Sequence, residues 1–517
     1  MKYDYVVAGG GTAGSIIASR LSEDPNMTVL MLEAGPDYPD AERLPEKIRD
    51  GYTTSADITP SDHVWEFTAR STAIAEPMWV PRGRVTGGSS AINGQFFLRG
   101  VPEDYDDWAD RGNDEWSYEK VLPYFRKFET DLDFPDDFHG TDGPILVRRF
   151  KEHEWLEPQA AFRDAALDAG FPYVEDFNHP DATGVGPLPL NNVDGMRISA
   201  NVGFLNPARH RLNLTVRGDC LVRRLIFEGK RATGVEVESG GERFIVEGEE
   251  IILSAGPIGS PHILMLSGVG PEEQLAAAGV PLVHHSPGVG QNLRDHPLLS
   301  IGYSTKPGYP MDPDAPRYQV ILRYTAENSP LRNDMQIVMI SFASEPVATG
   351  GDGRTSEGIA IFPVLNKAVG KGEIRLGSAD PTVQPLLDYN FFAEEEDRRR
   401  FRDGLRLCLS LGEHESFKDI IEARTSPSDE DLASDEALDR WFMTYARTCH
   451  HISGTCKMGP AGDPEAVIDQ YGRVYGVEAL RVADVSIMPD CVRANTNATA
   501  MMIGERMADF IAEGVPA

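Results

Sequence analysis

Cysteine is scarce in this sequence, with five residues in 517, at positions 220, 408, 449, 456 and 491. So few and so scattered, they exclude a disulfide scaffold and point to a reducing compartment. There is no C-x-x-C pair, and Cys449 and Cys456, with His450 and His451 between them, lack the spacing of a metal site. Adjacent histidines are also expected to face different sides of the backbone, so no metal is expected. Positive charge is short as well: 49 Lys and Arg stand against 81 Asp and Glu, a net charge of -32. A field of that sign repels nucleic acid and anionic membranes, leaving neither as a partner, and it favours solubility.

Long apolar runs are missing too, with one apparent exception. Ile251 to Pro271 contains no Asp, Glu, Lys or Arg. It holds two internal prolines, four glycines and three serines, which a lipid-exposed helix would not tolerate. It reads as a buried strand, a turn and a helix, not a transmembrane segment. Lys2, Asp4 and a glycine cluster from Gly9 leave no apolar stretch of signal-peptide type. A cytoplasmic protein is expected. Repeats and low-complexity linkers are absent.

What is present has the size and patterning of two domains. Tyr3 to Ala8 is a short apolar strand, Thr12 to Leu21 a helix and Met27 to Leu32 a second strand, together one βαβ unit. Helical periodicity returns over Ser117 to Phe128 and Trp155 to Leu167, and over Asn497 to Ala512. Thr233 to Ser239 alternates as a strand. Glu394, Glu395 and Glu396 stand four residues before Arg398, Arg399 and Arg400, which predicts a solvated helix face. The acid-rich stretch Asp131 to Asp142 lacks the ligand order of a calcium loop and is interrupted by Pro135, so a surface loop is expected.

Gly9-Gly10-Gly11-Thr12-Ala13-Gly14 puts glycines at the three positions of G-x-G-x-x-G, between a strand and a helix. The first permits the tight turn, the second lets a pyrophosphate approach the backbone, and the third lets helix and strand pack closely. Glu33 lies 19 residues beyond Gly14, where a carboxylate accepts hydrogen bonds from a ribose. These residues predict a dinucleotide site and leave NAD and FAD both open.

Further along, Pro81-Arg82-Gly83-Arg84-Val85-Thr86-Gly87-Gly88-Ser89-Ser90-Ala91-Ile92-Asn93-Gly94 resembles the first signature of the glucose–methanol–choline (GMC) oxidoreductases. Gly256-Pro257-Ile258-Gly259-Ser260-Pro261, running to Ser267-Gly268-Val269-Gly270, resembles the second. Gly288-Val289-Gly290-Gln291-Asn292-Leu293 with Asp295-His296 is similar to the segment that follows it. His451-Ile452-Ser453-Gly454-Thr455, Met458-Gly459, Arg481-Val482-Ala483-Asp484 and Asn495-Thr496-Asn497 complete the set in the family's order. Within the family the chain resembles the choline dehydrogenase and hydroxymethylfurfural oxidase type. Some features are also similar to members that serve the mycofactocin redox peptide.

The resemblance implies an α/β fold, with a Rossmann-like FAD-binding domain and a discontinuous antiparallel-sheet substrate domain. The first would take residues 1–155, 213–300 and 446–517, the second 156–212 and 301–445. It implies non-covalent FAD, because Ile92 occupies the position where some members attach the flavin through histidine. Around the dinucleotide it places Gly9, Gly11, Thr12, Ala13, Gly14, Glu33 and Ala34. As further cofactor-binding residues it gives Arg84, Gly88, Asn93, Gly94, Val222, Asp484, Asn495 and Thr496, with Asn93 and Gly94 approaching the flavin. Asp484 is read either as a flavin-site ligand or as a loop cap, and Trp65 as cofactor shell or packing.

Oxidising an alcohol needs a group to take the hydroxyl proton while a hydride moves to flavin N5. Histidine suits that task, being largely neutral at pH 7. His451 matches the family's histidine, with His450 as the alternative register. Asn497 matches the family's second position and would hold the substrate oxygen, with Asn495 as competitor. Asn is also a favoured helix N-cap, and Asn497 opens the last helix. That helix would offer its positive end to charge developing on the flavin. The expected partners are a small-molecule alcohol and an electron acceptor, oxygen or a quinone or other redox carrier. The alternatives within the family are a hydroxynitrile lyase, a fatty-acid photodecarboxylase or an enzyme acting on the mycofactocin peptide.

Overall fold

The computed structural model describes residues 2–50, 61–310, 312, 315–342 and 358–514. Two large sheets dominate it. The first is built on the N-terminal βαβ unit, with strands Lys2–Ala8 and Val29–Leu32 and the helix Thr12–Leu21 between them. Leu214–Arg217 lies parallel to Val29–Leu32 on the outer side. On the other side runs the long strand Glu242–Leu253, whose two halves do different work. Its last residues pair in parallel with Lys2–Ala8 and with Leu480–Val482, in the registers Ala8↔Leu253 and Leu253↔Val482. Its first half pairs antiparallel with Arg231–Ser239, which in turn pairs with Leu221–Glu228. The parallel centre is covered on both faces, so Val6 to Ala8, Val29–Leu32 and Ile251 to Leu253 are buried apolar runs without polar alternation.

The second sheet has eight strands, and all its pairings are antiparallel. Met335–Ser341 and Ile359–Leu365 form its centre, buried along their full length. One face is covered by the helix Glu395–Gly412. There Gly404 lets the helix approach closely, since a Cβ would meet Met335 Cε at 2.8 Å and Pro363 Cβ at 3.0 Å. The other face looks toward the carboxyl ends of the parallel strands of the first sheet, and a cavity lies between. Strands Pro297–Leu298 and Arg447–Thr448 belong to this sheet too, just outside the segments 156–212 and 301–445. No helix among the described residues is long and apolar enough to cross a membrane. Ile251 to Pro271 holds the end of a buried strand, a turn and the helix Gly256–Leu266.

Two sequence expectations are corrected. The Glu/Arg run is not wholly a solvated face. Arg398 and Arg399 pair at i,i+3 with Glu395 and Glu396, but Arg400 is 1 % exposed, bound to Asp334 at 2.9 Å and Asp397 at 2.7 Å. Helical spacing reports which acids precede which arginines; it does not report that a loop acid waits on the buried side.

The acidic stretch from Asp131 is likewise no simple surface loop. His139 lies buried among carboxylates, 2.9 Å from Glu129, 3.1 Å from Asp131 and 2.9 Å from Asp176. Arg149 binds Asp131 and Asp176, and Arg99 binds Glu129. Both ring nitrogens face carboxylates, and these partners hold the imidazolium up to about 11 against the penalty of burial. His139→Ala would leave three buried carboxylates with only Arg99 and Arg149 to balance them and is expected to cost about 3 kcal/mol. A histidine raised on folding contributes fully below its unfolded value of about 6.5, and that contribution is lost as pH climbs toward the folded one. Denaturant unfolding should therefore show a larger gap between wild type and variant at about pH 6 than at about pH 10.

Candidate active site

The cavity measures about 1020 Å³, and every site residue singled out from the sequence except Gly14 lines it. Gly14 stands behind the lining. A Cβ there would lie 2.0 Å from Gly9 O, so its role is close packing of helix against strand. Gly9 has φ +109, and a Cβ would meet Ser254 O at 2.4 Å. Gly11 is the opposite case: the nearest atom to its notional Cβ is Ser254 O at 3.7 Å, leaving its α-carbon bare toward the cavity. Thr12 and Ala13 begin the helix, and no side chain caps it. The first amides of a helix with a positive end thus border an open space, as a pyrophosphate requires.

Glu33 is 6 % exposed, and burial pushes its carboxyl up to about 7. Its Oε2 accepts from Gly10 N and its Oε1 from Gly35 N, both at 2.9 Å, which fixes the carboxylate beside Ala34 with a lone pair on each oxygen to spare. Arg84 stacks over the Trp65 ring at 5.1 Å, and its Nε has no protein partner. Gly88, Asn93, Gly94 and Val222 border the same space. Asp484 does cap a loop. One oxygen accepts from Ser486 N at 2.8 Å, the other from Ser260 Oγ at 2.6 Å and Gly256 N at 3.0 Å, while the residue still lines the cavity.

His451 lies where the cradle, the second sheet and the last helix meet. Its backbone N–H donates to Asp295 Oδ1 at 2.9 Å, and Asp295 also accepts from Thr448 Oγ1 at 2.5 Å. Nε2 is 3.0 Å from Asn495 Nδ2 and Nδ1 is 2.9 Å from His296 Nδ1. An amide Nδ2 can only donate, so Nε2 accepts, and the imidazole carries its proton on Nδ1, which donates to His296. Burial, followed by His296, His450 and Arg82, pulls the His451 imidazole well below its usual value. Burial thus favours the neutral ring, and the Asn495 amide lies on its Nε2 side.

His450 has φ +65, which breaks the alternation expected of neighbouring side chains, and both residues line the same cavity. Arg82 holds its carbonyl at 2.5 Å and Thr448 Oγ1 accepts its N–H at 2.7 Å. The helix Asn497–Ala512 has Thr496, not Asn497, at its N-cap position, and no side chain caps it. The Asn497 Nδ2 has no protein partner. Sequence reasoning quoted Asp295 and His296 inside a motif and gave them no task. It passed over Arg447 and Gln336, which carry no local signal. Among the described residues, the one grouping of metal-type ligand atoms is Glu129, Asp131 and His139, far along the chain from this site and occupied by its own ion pairs.

Two family models described as GMC oxidoreductase match residues 3–298 and 368–504. An uncharacterized GMC-type oxidoreductase of Rhodococcus erythropolis is 39% identical over 511 residues, covering 98% of both chains. The oxygen-dependent choline dehydrogenase 1 of Chromohalobacter salexigens is 35% identical over 536 residues, covering 99% of this chain and 95% of that protein. Among solved structures, pyridoxine 4-oxidase from Mesorbium loti superposes with a TM-score of 0.90 at 28% identity, covering 100% of both chains.

Proposed function

Since the chain belongs to the GMC oxidoreductase family, we propose that it is an FAD-dependent enzyme oxidising the CH–OH group of a small alcohol, with His451 taking the hydroxyl proton. One observation carries this reading: the buried His451 imidazole, held between His296 and Asn495, lines the cavity that also holds the glycine cradle. FAD, when bound, supplies the acceptor for the hydride that leaves the carbinol carbon. The backbone of Gly9 to Ala13 would hold its pyrophosphate, Glu33 its ribose with Val222 nearby, and Asn93, Gly94, Asn495 and Thr496 its flavin end.

The substrate hydroxyl takes the place of the Asn495 amide on His451 Nε2 and donates its proton there. Asn497, with its amide N–H unpartnered, holds the alcohol oxygen. His296 and Asp295 fix the ring through Nδ1 and through the backbone. The uncapped last helix directs roughly half a positive charge at this end of the cavity.

The state of His451 sets the pH response. Because the imidazole is held well below its usual value, it stays a competent base through the neutral range and below it. Anaerobic flavin reduction by a saturating alcohol should be level from about pH 8 to about pH 6.5, the ordinary histidine value, and fall only at more acid pH. A fall centred at or above that value would contradict the assignment. A yellow protein that no alcohol bleaches would favour a lyase of the same family.

A further inference from the structure

Beyond Glu33 the cavity continues as a groove along the helix Gly256–Leu266. Gly256, Gly259, His262, Ile263 and Leu266 all line it. Their spacing of three and four residues is that of one helix face, so the groove follows the helix for almost three turns, about 15 Å. Its first half is bare: a Cβ on Gly256 would meet no described atom within 4 Å, and one on Gly259 only Ala255 Cβ at 2.9 Å. The second bank is the start of the strand Leu221–Glu228, with Cys220, Leu221 and Val222 in the lining. Cys220 N donates to Glu33 O and Asp219 N to Gly35 O, both at 2.8 Å, which seats this bank beside the Glu33 carboxylate. Ser267, just past the helix, accepts at Oγ from Leu225 N at 2.8 Å, which docks the helix on the same strand.

His262 is the single titratable side chain of this helix. No described charged group acts on it, and burial alone draws its imidazole down to about 4. The ring is therefore neutral at pH 7, with one nitrogen to donate and one to accept. Its Nε2 is buried and has no hydrogen-bond partner among the described residues. A buried polar atom left unmet is costly unless something bound meets it, and an aliphatic side chain would fill the same space without that cost. The rest of a dinucleotide is placed elsewhere. Its pyrophosphate falls to the backbone of Gly9 to Ala13, its ribose to Glu33, and its flavin to Asn93, Gly94, Asn495 and Thr496 on the His451 side of the cradle. The adenine is left, and the groove is the space beyond the ribose carboxylate.

We infer that His262 reads the adenine of FAD: its imidazole accepts a hydrogen bond from the exocyclic amine of the base, which lies in the groove between the helix face and Val222. Adenine suits this lining, with flat apolar faces for Val222, Ile263 and Leu266 and an amine donor on its edge for the imidazole. His262 is thus a cofactor-binding residue at the opposite end of the dinucleotide from His451. The inference rests on FAD as the cofactor and is independent of the alcohol-oxidising reading.

The test is flavin fluorescence during serial dilution of the yellow holoenzyme, which gives the dissociation constant of its cofactor. It is run on enzyme loaded with FAD and on enzyme loaded with the flavin purine dinucleotide, which lacks only the exocyclic amine. Wild type should hold FAD at least about tenfold tighter than the purine analogue. His262→Leu, which keeps an apolar side chain in the groove, should weaken FAD by at least about tenfold and bring the two cofactors to nearly equal affinity. His262→Gln, still an acceptor, should keep part of the preference. Equal affinity of wild type for the two cofactors overturns the inference without any variant. So does a His262→Leu protein that holds FAD as tightly as wild type, or one that keeps the full preference for FAD. The two readings fail separately. If the preference for the amine is found and no alcohol bleaches the flavin, the His262 assignment stands and the oxidation reading falls. If wild type is indifferent to the amine and alcohols bleach the flavin, the oxidation reading stands and the His262 assignment falls.

Discussion

Replacing His451 with alanine is expected to slow anaerobic flavin reduction on the order of 10²-fold or more while FAD stays bound. The side chain is held by His296 and Asn495 and does not support the glycine cradle, so its loss removes a proton acceptor without opening the dinucleotide site. His450 differs from His451 in its contacts: its Nδ1 has no protein partner, whereas His296 and Asn495 orient the His451 ring from its two nitrogens. His450→Ala should therefore have a much smaller effect on the reduction rate than His451→Ala. Stopped-flow absorbance on both variants, with flavin content measured in parallel, checks the contrast. A His451→Ala enzyme reduced at the wild-type rate would remove the base from the mechanism.

The second large effect is expected at Gly14. A methyl group there would sit 2.0 Å from Gly9 O, a backbone atom that cannot move without unseating Ala8 and Ser254. The start of Thr12–Leu21 must be pushed away from the strand, which spoils the amides facing the pyrophosphate. A penalty of about 3 kcal/mol corresponds to a loss of roughly 100-fold in cofactor affinity. Because the clash is between protein atoms, Gly14→Ala should also lower the melting temperature of the flavin-free protein. Gly11→Ala separates the two contributions, since its Cβ would find open space at 3.7 Å and obstruct only the cofactor. It should weaken FAD binding while leaving the apoprotein's melting temperature unchanged. Equal flavin content in wild type and Gly14→Ala would refute the packing argument.

Much of this was legible in the sequence where the information is local. Thr12–Leu21 and Asn497–Ala512 have the bounds their periodicity predicts, because the apolar spacing that sets them lies within the helices themselves. The charge-free stretch from Ile251 resolved into strand, turn and helix for the same reason. What escaped was pairing across long separations. His296 and His451 are 155 residues apart, and nothing in either segment announces that two imidazoles will share a proton. Asn495 could be named as a competitor to Asn497, but only three-dimensional structure shows which amide touches His451 and which is left without a partner. Arg400 and His139 looked solvated because charge runs usually are; each lies against acids brought from other parts of the chain. Arg447 and Gln336 reach the cavity through the register of four strands, which composition does not encode.

Anaerobic stopped-flow reduction of the holoenzyme by a panel of small primary alcohols, each compared with its α,α-dideuterated form, tests the central claim most directly. The account predicts complete bleaching of the flavin, a clearly slower rate with the deuterated alcohol, and one aldehyde formed per flavin. A flavin that stays oxidised, or one that bleaches at the same rate with both alcohols and yields no aldehyde, would contradict it.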